Sequence, residues 1–261
     1  MPDAGNMRAK EIAALIASAS QEELPELERR YADDPRRQVR DALARAHRRL
    51  DRDQAERDRV LGMYEAQREL GGDGIVVGVD EVGRGAVAGP LTVAAVALPY
   101  RPVVWGINDS KQLSPARREQ LAAQIEEIAI ATGIAHVPPE QIDSVGMAAA
   151  LRLAMKEAIA NTGVEPDSVL IDGNPVRVHP RETNVVKGDA TIACIAAASI
   201  VAKVMRDALM VGYDAVYPQY HFAACKGYAS ADHVEAIRAH GLSEIHRVSF
   251  CGNFVETPRL F

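Results

Sequence analysis

Residues 75–90 read IVVGVDEVGRGAVAGP. The opening Ile75-Val76-Val77-Gly78-Val79 is a short, β-branched, almost wholly apolar run, the composition of a strand covered on both faces. Asp80 and Glu81 follow at its end, and then a glycine-rich turn. A second apolar run from Thr92 to Leu98 completes two neighbouring strands. Successive strand residues point to opposite faces, so Asp80 and Glu81 cannot both aim at one ion from ideal β geometry. A bend is therefore expected, for which Gly83 and Gly85 supply freedom. The Glu81 carbonyl would then ligate metal while its side chain holds a water.

Working outward, Gly71, Gly72, Asp73 and Gly74 mark a boundary. Residues 1–70 contain no glycine between Gly5 and Gly62 and are rich in Ala, Arg, Glu and Asp, which favours a charged helical extension. Ile12, Leu15 and Ile16 share a face, Pro25 opens a second helix, and Val39, Leu43 and Leu50 mark a third. Arg36, Arg37, Arg40, Arg45, Arg48 and Arg49 are interleaved with acids. That pattern reads as a solvated surface with internal ion pairs rather than a nucleic-acid handle. Residues 71–261 form the catalytic domain. In it, Arg117 to Ala131 and Met147 to Thr162 have helical periodicity, Ser168 to Ile171 is a brief strand, and Ala190 to Val211 is an Ala-rich helix. Strands early and helices interleaved predict an α/β fold, a central sheet flanked by helices.

Asp172 follows the strand SVLI, and Asp189 stands in KGD just before the long helix. With Asp80 and Glu81 they form a set of four acids at strand and helix ends. Carboxylates are the hard oxygen ligands that Mg²⁺ and Mn²⁺ prefer, and a two-metal site needs several of them. Each acid taken singly also reads as a turn former or helix cap. Ala196, Ala197 and Ala198 fit close packing of the helix on the sheet. The helix N-terminus near Asp189 also suits a phosphate, and the residues alone leave the two uses open.

The formal net charge of −6 supplies no global basic excess. Nucleic-acid binding then requires the acids to gather at one site while basic residues line the approach. Cys194, Cys225 and Cys251 form no CxxC pair and read as free thiols in a reducing, cytoplasmic compartment. There is no apolar run long enough to span a membrane and no signal-peptide pattern. GxGxxG is absent, so a dinucleotide-dependent dehydrogenase is excluded.

The run from Gly78 to Pro90 resembles the signature of type 2 ribonuclease H, ribonuclease HII. DSKQL (109–113), IDG (171–173), KGD (187–189), AAASIVAK (196–203) with Arg206-Asp207, KGY (226–228), and His246-Arg247 with Ser249-Phe250 follow in family order. The resemblance covers residues 75 to about 250. It implies a ribonuclease H-like fold with a mixed sheet, and Asp80, Glu81, Asp172 and Asp189 as catalytic acids holding two Mn²⁺ or Mg²⁺ ions. The implied substrates are RNA/DNA hybrids and duplex DNA with embedded ribonucleotides, with no obligate protein partner. Gly83-Arg84-Gly85 would sense the ribose 2′-hydroxyl, and Tyr228 would pack on the following deoxyribose. Lys111, Lys203 and Lys226 would contact phosphates. Lys203 and Asp207, four apart on one helix, compete for an ion pair, and Asp207 then only supports the site. Cys225 and Ser230 depart from the histidine and threonine usual in the family. The extension at 1–70 is longer than a minimal member requires. Three competitors remain: a DNA-cutting nuclease of the same fold would lack a ribose sensor, type 3 ribonuclease H carries a different N-terminal domain, and a binding-only homologue would have no use for four acids.

Overall fold

The structure, a computed structural model, describes residues 7–254. It divides into two compact units, residues 1–59 and 60–261. In the first, helices α1 (Ala9–Ser18), α2 (Leu24–Tyr31) and the first half of α3 (Arg37–Gly71) bury Ile12, Ile16, Leu24, Tyr31, Val39, Ala42 and Ala46 against one another. Pro25 lies in the first turn of α2, as its missing N–H allows. Arg36 pairs with Asp34, Arg37 with Asp41, Arg49 with Asp53 and Arg59 with Glu56. Four of the thirteen Lys and Arg residues of this unit are thus paired with its own acids. From Val60 onward α3 belongs to the second unit, so the division falls inside a helix rather than at the glycines after it.

The second unit is built on a five-stranded sheet in the order β3-β2-β1-β4-β5. Strands β1 (Val76–Val82), β2 (Leu91–Ala97) and β3 (Ala131–Val137) pair antiparallel, whereas β4 (Ser168–Asp172) and β5 (Glu182–Val185) continue parallel to β1. One face carries α4 (Pro115–Ile128), the last turns of α3, and α8 (Ala193–Val216), which contributes Ala196, Ala197, Ala198 and Ile200 to the core. Helices α5 (Pro139–Val145) and α6 (Met147–Asn161) cover the other face through Ile142, Ala154, Met155 and Ala158. Coverage on both faces explains the unbroken burial of β2. A third cluster gathers Val87, Ala88, Met210, Tyr220, Phe222 and Ile237 around the end of α8, α9 (Phe222–Cys225) and α10 (Ala231–His240).

Gly78 sets the distance between sheet and helix. A β-carbon there would lie 2.2 Å from the Cys194 carbonyl carbon and 2.5 Å from the Ile195 nitrogen, so only glycine lets the first turn of α8 sit on β1.

Two expectations are corrected. The helix expected from Ala190 to Val211 is two helices, α7 (Gly188–Thr191) and α8, separated by Ile192 in an extended conformation (φ −123°, ψ 124°) with its side chain buried. At the start of α8 the Cys194 N–H is taken at 2.9 Å by the buried Gln67 side chain, whose amide also donates to the Leu98 carbonyl. The helix expected from Arg117 to Ala131 ends at Ile128, and Ala131 already begins β3.

Candidate active site

β1 runs on past Asp80 and Glu81. Both remain in regular antiparallel register with β2, opposite Ala94 and Val93, so the bend expected at this pair is absent. The parallel pairing of β1 with β4 stops earlier, at Val79 and Ile171. The carboxyl ends of such strands are where open α/β sheets place their ligands. Asp80 faces α8, on the same side as Gly78. Asp172, the last residue of β4, occupies the equivalent position one strand over. Glu81 belongs by alternation to the opposite face, and Asp189 comes in from α7.

The four acids sense one another electrostatically. Burial, then Glu81 and Asp172, push Asp80 well above the usual carboxylate range. Burial also raises Glu81, with Arg84 opposing and Asp172 adding, and it raises Asp189, with Asp172 and Asp109 adding. Asp172 is therefore the acid common to the other three. Its Oδ1 accepts from the Gly188 N–H at 2.7 Å, which ties β4 to the α7 turn that carries Asp189. Asp80 is 6% exposed and accepts from the Glu81 N–H at 2.7 Å. The Ser199 hydroxyl of α8, which opposes the rise in the Asp80 pKa, lies 2.9 Å from the buried Ser110 hydroxyl. The sequence reading singled out neither serine although both fall in its motifs.

Cationic charge reaches the acids from two sides. Lys111 Nζ stands 3.7 Å from Asp189 Oδ2. Burial opposes its charge, but Asp109, Asp189, Asp80 and Asp172 together hold its pKa up. Arg84 lies 3.6 Å from Glu81 Oε1. Lys203 is bound to Asp207 at 2.7 Å, the expected ion pair, and Lys226 Nζ donates to the Ala223 carbonyl at 2.6 Å. These last two ammonium groups are engaged elsewhere than the acids.

Buried, mutually repelling carboxylates suit a hard divalent cation in donor chemistry. Among the described residues no three carboxylate, imidazole or thiol groups are already drawn together as a finished cage.

Gly83, at φ +89°, turns the chain out of β1, and a β-carbon there would meet Arg206 Nε at 2.2 Å. Gly85 has open space about it. Tyr228 is exposed on one side, with the Arg206 guanidinium 5.5 Å from its ring centroid. Of the two departures, Cys225 accepts from the Gly227 N–H and Ser230 caps α10 through the His233 N–H. Both serve the backbone rather than the acids.

A model of the ribonuclease HII family matches residues 77–253, and a model of the ribonuclease HII N-terminal domain matches residues 9–71. The N-terminal helices are thus a recurring family module, not the type 3 domain. Ribonuclease HII of Geobacillus thermodenitrificans is 42% identical over 92% of this chain and 93% of its own length. That of Moorella thermoacetica is 48% identical over 75% of this chain and 96% of its own. Among solved structures, the ribonuclease HII of Archaeoglobus fulgidus, determined in complex with PCNA, superposes with a TM-score of 0.59 at 26% identity, over 70% of this chain and 98% of that one. The chain belongs to the ribonuclease HII family, metal-dependent endoribonucleases that hydrolyse the RNA of RNA/DNA hybrids.

Proposed function

We propose that the protein cuts both the RNA strand of RNA/DNA hybrids and the bond 5′ of single ribonucleotides in duplex DNA, leaving 3′-hydroxyl and 5′-phosphate ends. The observation that carries this reading is the coupling of Asp172 to Asp80, Glu81 and Asp189 at the carboxyl ends of β1 and β4. These four residues would hold two Mg²⁺ or Mn²⁺ ions. Such ions, when bound, polarise the phosphodiester and activate water.

The chain's own groups do the rest. Ser199, beside Ser110, opposes the rise in the Asp80 pKa, and Gly188 fixes Asp172. Lys111 gives up its contact with Asp189 for the substrate's phosphate as a point charge. Gly83, Arg84 and Gly85 present backbone to the ribose 2′-hydroxyl, where the lack of a β-carbon permits close approach. Tyr228 offers an exposed ring to the next sugar. Lys203 and Lys226 reach phosphate only by exchanging their present partners. A cytoplasmic location accords with three free thiols.

The test is Asp80→Asn and Asp172→Asn, each assayed for turnover and for hybrid affinity. Each removes ligand charge but little contact surface. Turnover lost with binding kept is the expected result, and near-normal cleavage by either variant would contradict the assignment.

A further inference from the structure

Two arginines, Arg206 on α8 and Arg247 near the C-terminus, are fully buried, yet their hydrogen bonds all end on main-chain carbonyls. Arg206 donates from Nε to Pro90 O (2.9 Å), from one terminal nitrogen to Ala88 O (3.0 Å), and from the other to Lys226 O (2.8 Å). Arg247 donates twice to Gly89 O (3.0 and 2.8 Å) and once to Arg84 O (3.2 Å). Residues 83–90 leave the sheet with a single bridge, Ala88 to His246, and the carbonyls of Arg84, Ala88, Gly89 and Pro90 are those the two guanidinium groups take up. A planar fork of five N–H groups suits several carbonyls at once, and lysine cannot reproduce it.

The two arginines differ in what they join. Arg247 holds only residues 84–89. Arg206 spans two segments, the 83–90 loop and the 226–228 turn, and its guanidinium lies over the Tyr228 ring at 5.5 Å. The same joint is reinforced by the Val87 and Ala88 N–H groups, which both donate to Gly227 O at 2.9 and 3.1 Å. From the far side, the Ser243 N–H donates to His246 Nδ1 (2.9 Å), which leaves the His246 Nε2–H to donate to His233 Nε2 (3.1 Å), and His233 Nδ1–H to donate to Tyr228 O (2.8 Å). The Tyr228 backbone is thus fixed from one side, and the loop from the other.

We infer that Arg206, which packs on Gly83 so closely that a β-carbon there would meet its Nε at 2.2 Å, is the positioning residue that couples the Gly83–Gly85 segment to the Tyr228 ring, so that a ribose and the deoxyribose after it are read as one rigid unit. This rests on the roles proposed above for those two segments. A continuous RNA strand offers no deoxyribose at the second position, so loss of the coupling penalises the junction substrate selectively.

The test uses the full chain with Mg²⁺ and compares kcat/KM on a duplex carrying one ribonucleotide with that on a continuous hybrid, for Arg206→Lys, Arg247→Lys, Tyr228→Ala and the Arg206→Lys/Tyr228→Ala pair. Arg206→Lys is expected to lower the single-ribonucleotide to hybrid ratio about tenfold, the scale of a sub-ångström misplacement. The double variant is expected to fall no further than Tyr228→Ala alone, because Arg206 acts through that ring. Arg247→Lys should leave the ratio in place while depressing both substrates. Equal losses on both substrates with Arg206→Lys, or additive losses in the double variant, would reduce Arg206 to a strut and overturn the inference. If Tyr228→Ala itself leaves the ratio unchanged, the Tyr228 reading fails instead. Hydrogen exchange on the wild-type protein keeps the question open to test if Arg206→Lys does not fold. Binding of the junction duplex should protect Val87, Ala88 and the 226–228 turn together, and protection of one without the other would refute the coupling.

Discussion

Replacing Gly78 by alanine tests how the fold sets the site. The added β-carbon would lie 2.2 Å from Cys194 C, 2.4 Å from Cys194 O and 2.5 Å from Ile195 N, all main-chain atoms of the first turn of α8. Carbon contacts are comfortable from about 3.5 Å, so helix or strand must retreat by about 1.3 Å. No side-chain rotamer relieves a clash with backbone, which puts the cost at the upper end of overpacking, about 3 kcal/mol. For a chain of this size that corresponds to a melting temperature lower by about 6–12 °C. The displacement also carries Ser199 away from Asp80, and misplacement of about 1 Å costs on the order of a hundredfold in rate. Thermal unfolding followed by circular dichroism, with cleavage of a labelled hybrid well below the melting range, reads both quantities. A variant that melts within about 1 °C of the parent and cuts within twofold of it would refute the reasoning.

Three further outcomes follow from particular contacts. Gln67→Leu leaves the Cys194 N–H and the Leu98 carbonyl buried without partners, at about 1–3 kcal/mol each. Urea unfolding should show that loss, and stability unchanged within error would argue against the bridge. Folding raises the pKa of Asp80 above its ordinary 3.8, so its ionisation costs stability that is present below that value and lost as pH climbs through the raised range. Without metal, Asp80→Asn should therefore melt higher than wild type at pH 7, and with Mg²⁺ added it should cleave at least about a hundredfold more slowly than wild type; a lower melting temperature would contradict the sign. Burial and the neighbouring His233 push His246 down to about 4. That imidazole contributes stability above 6.5 that is lost as pH falls toward 4. His246→Gln should flatten that part of the pH–stability curve, and an identical slope in both proteins would sink the argument.

The central strands were legible because their chemistry is local. A β-branched run ending in two acids reads as a strand delivering carboxylates, and β1, β2 and β4 lie within a residue or so of their expected starts. Strands β3 and β5 were not legible. β3 reads ATGIAHV, without alternation, and owes its Gly133 to the approach of α6, where a β-carbon would meet the Ala158 carbonyl oxygen at 2.1 Å. β5 reads ETNV and exists because β4 offers it a parallel edge. The break at Ile192 is invisible in an Ala-rich stretch, since it depends on burial of that side chain and on the Cys194 bond to Gln67, 127 residues earlier in the chain.

For the proposed site, the four candidate acids stand out by their places in the chain, whereas the residues around them do not. Ser110 and Ser199 are unremarkable polar residues until the fold brings them within 2.9 Å of each other. Arg206 and Arg247 read as surface charges by type, and only the inward carbonyls of residues 84–90 explain their burial. The bend expected at Asp80 and Glu81 does not occur, because β1 leaves β4 at Val79 while staying paired with β2 through Val82.

Cleavage of an end-labelled DNA duplex carrying one ribonucleotide, beside an all-DNA control, with Mg²⁺, with Mn²⁺ and with chelator, tests the central claim most directly. The account predicts a metal-dependent cut immediately 5′ of the ribonucleotide, ending in a 3′-hydroxyl, with the control intact. No cut with either metal, or equal cutting of the control, would contradict it.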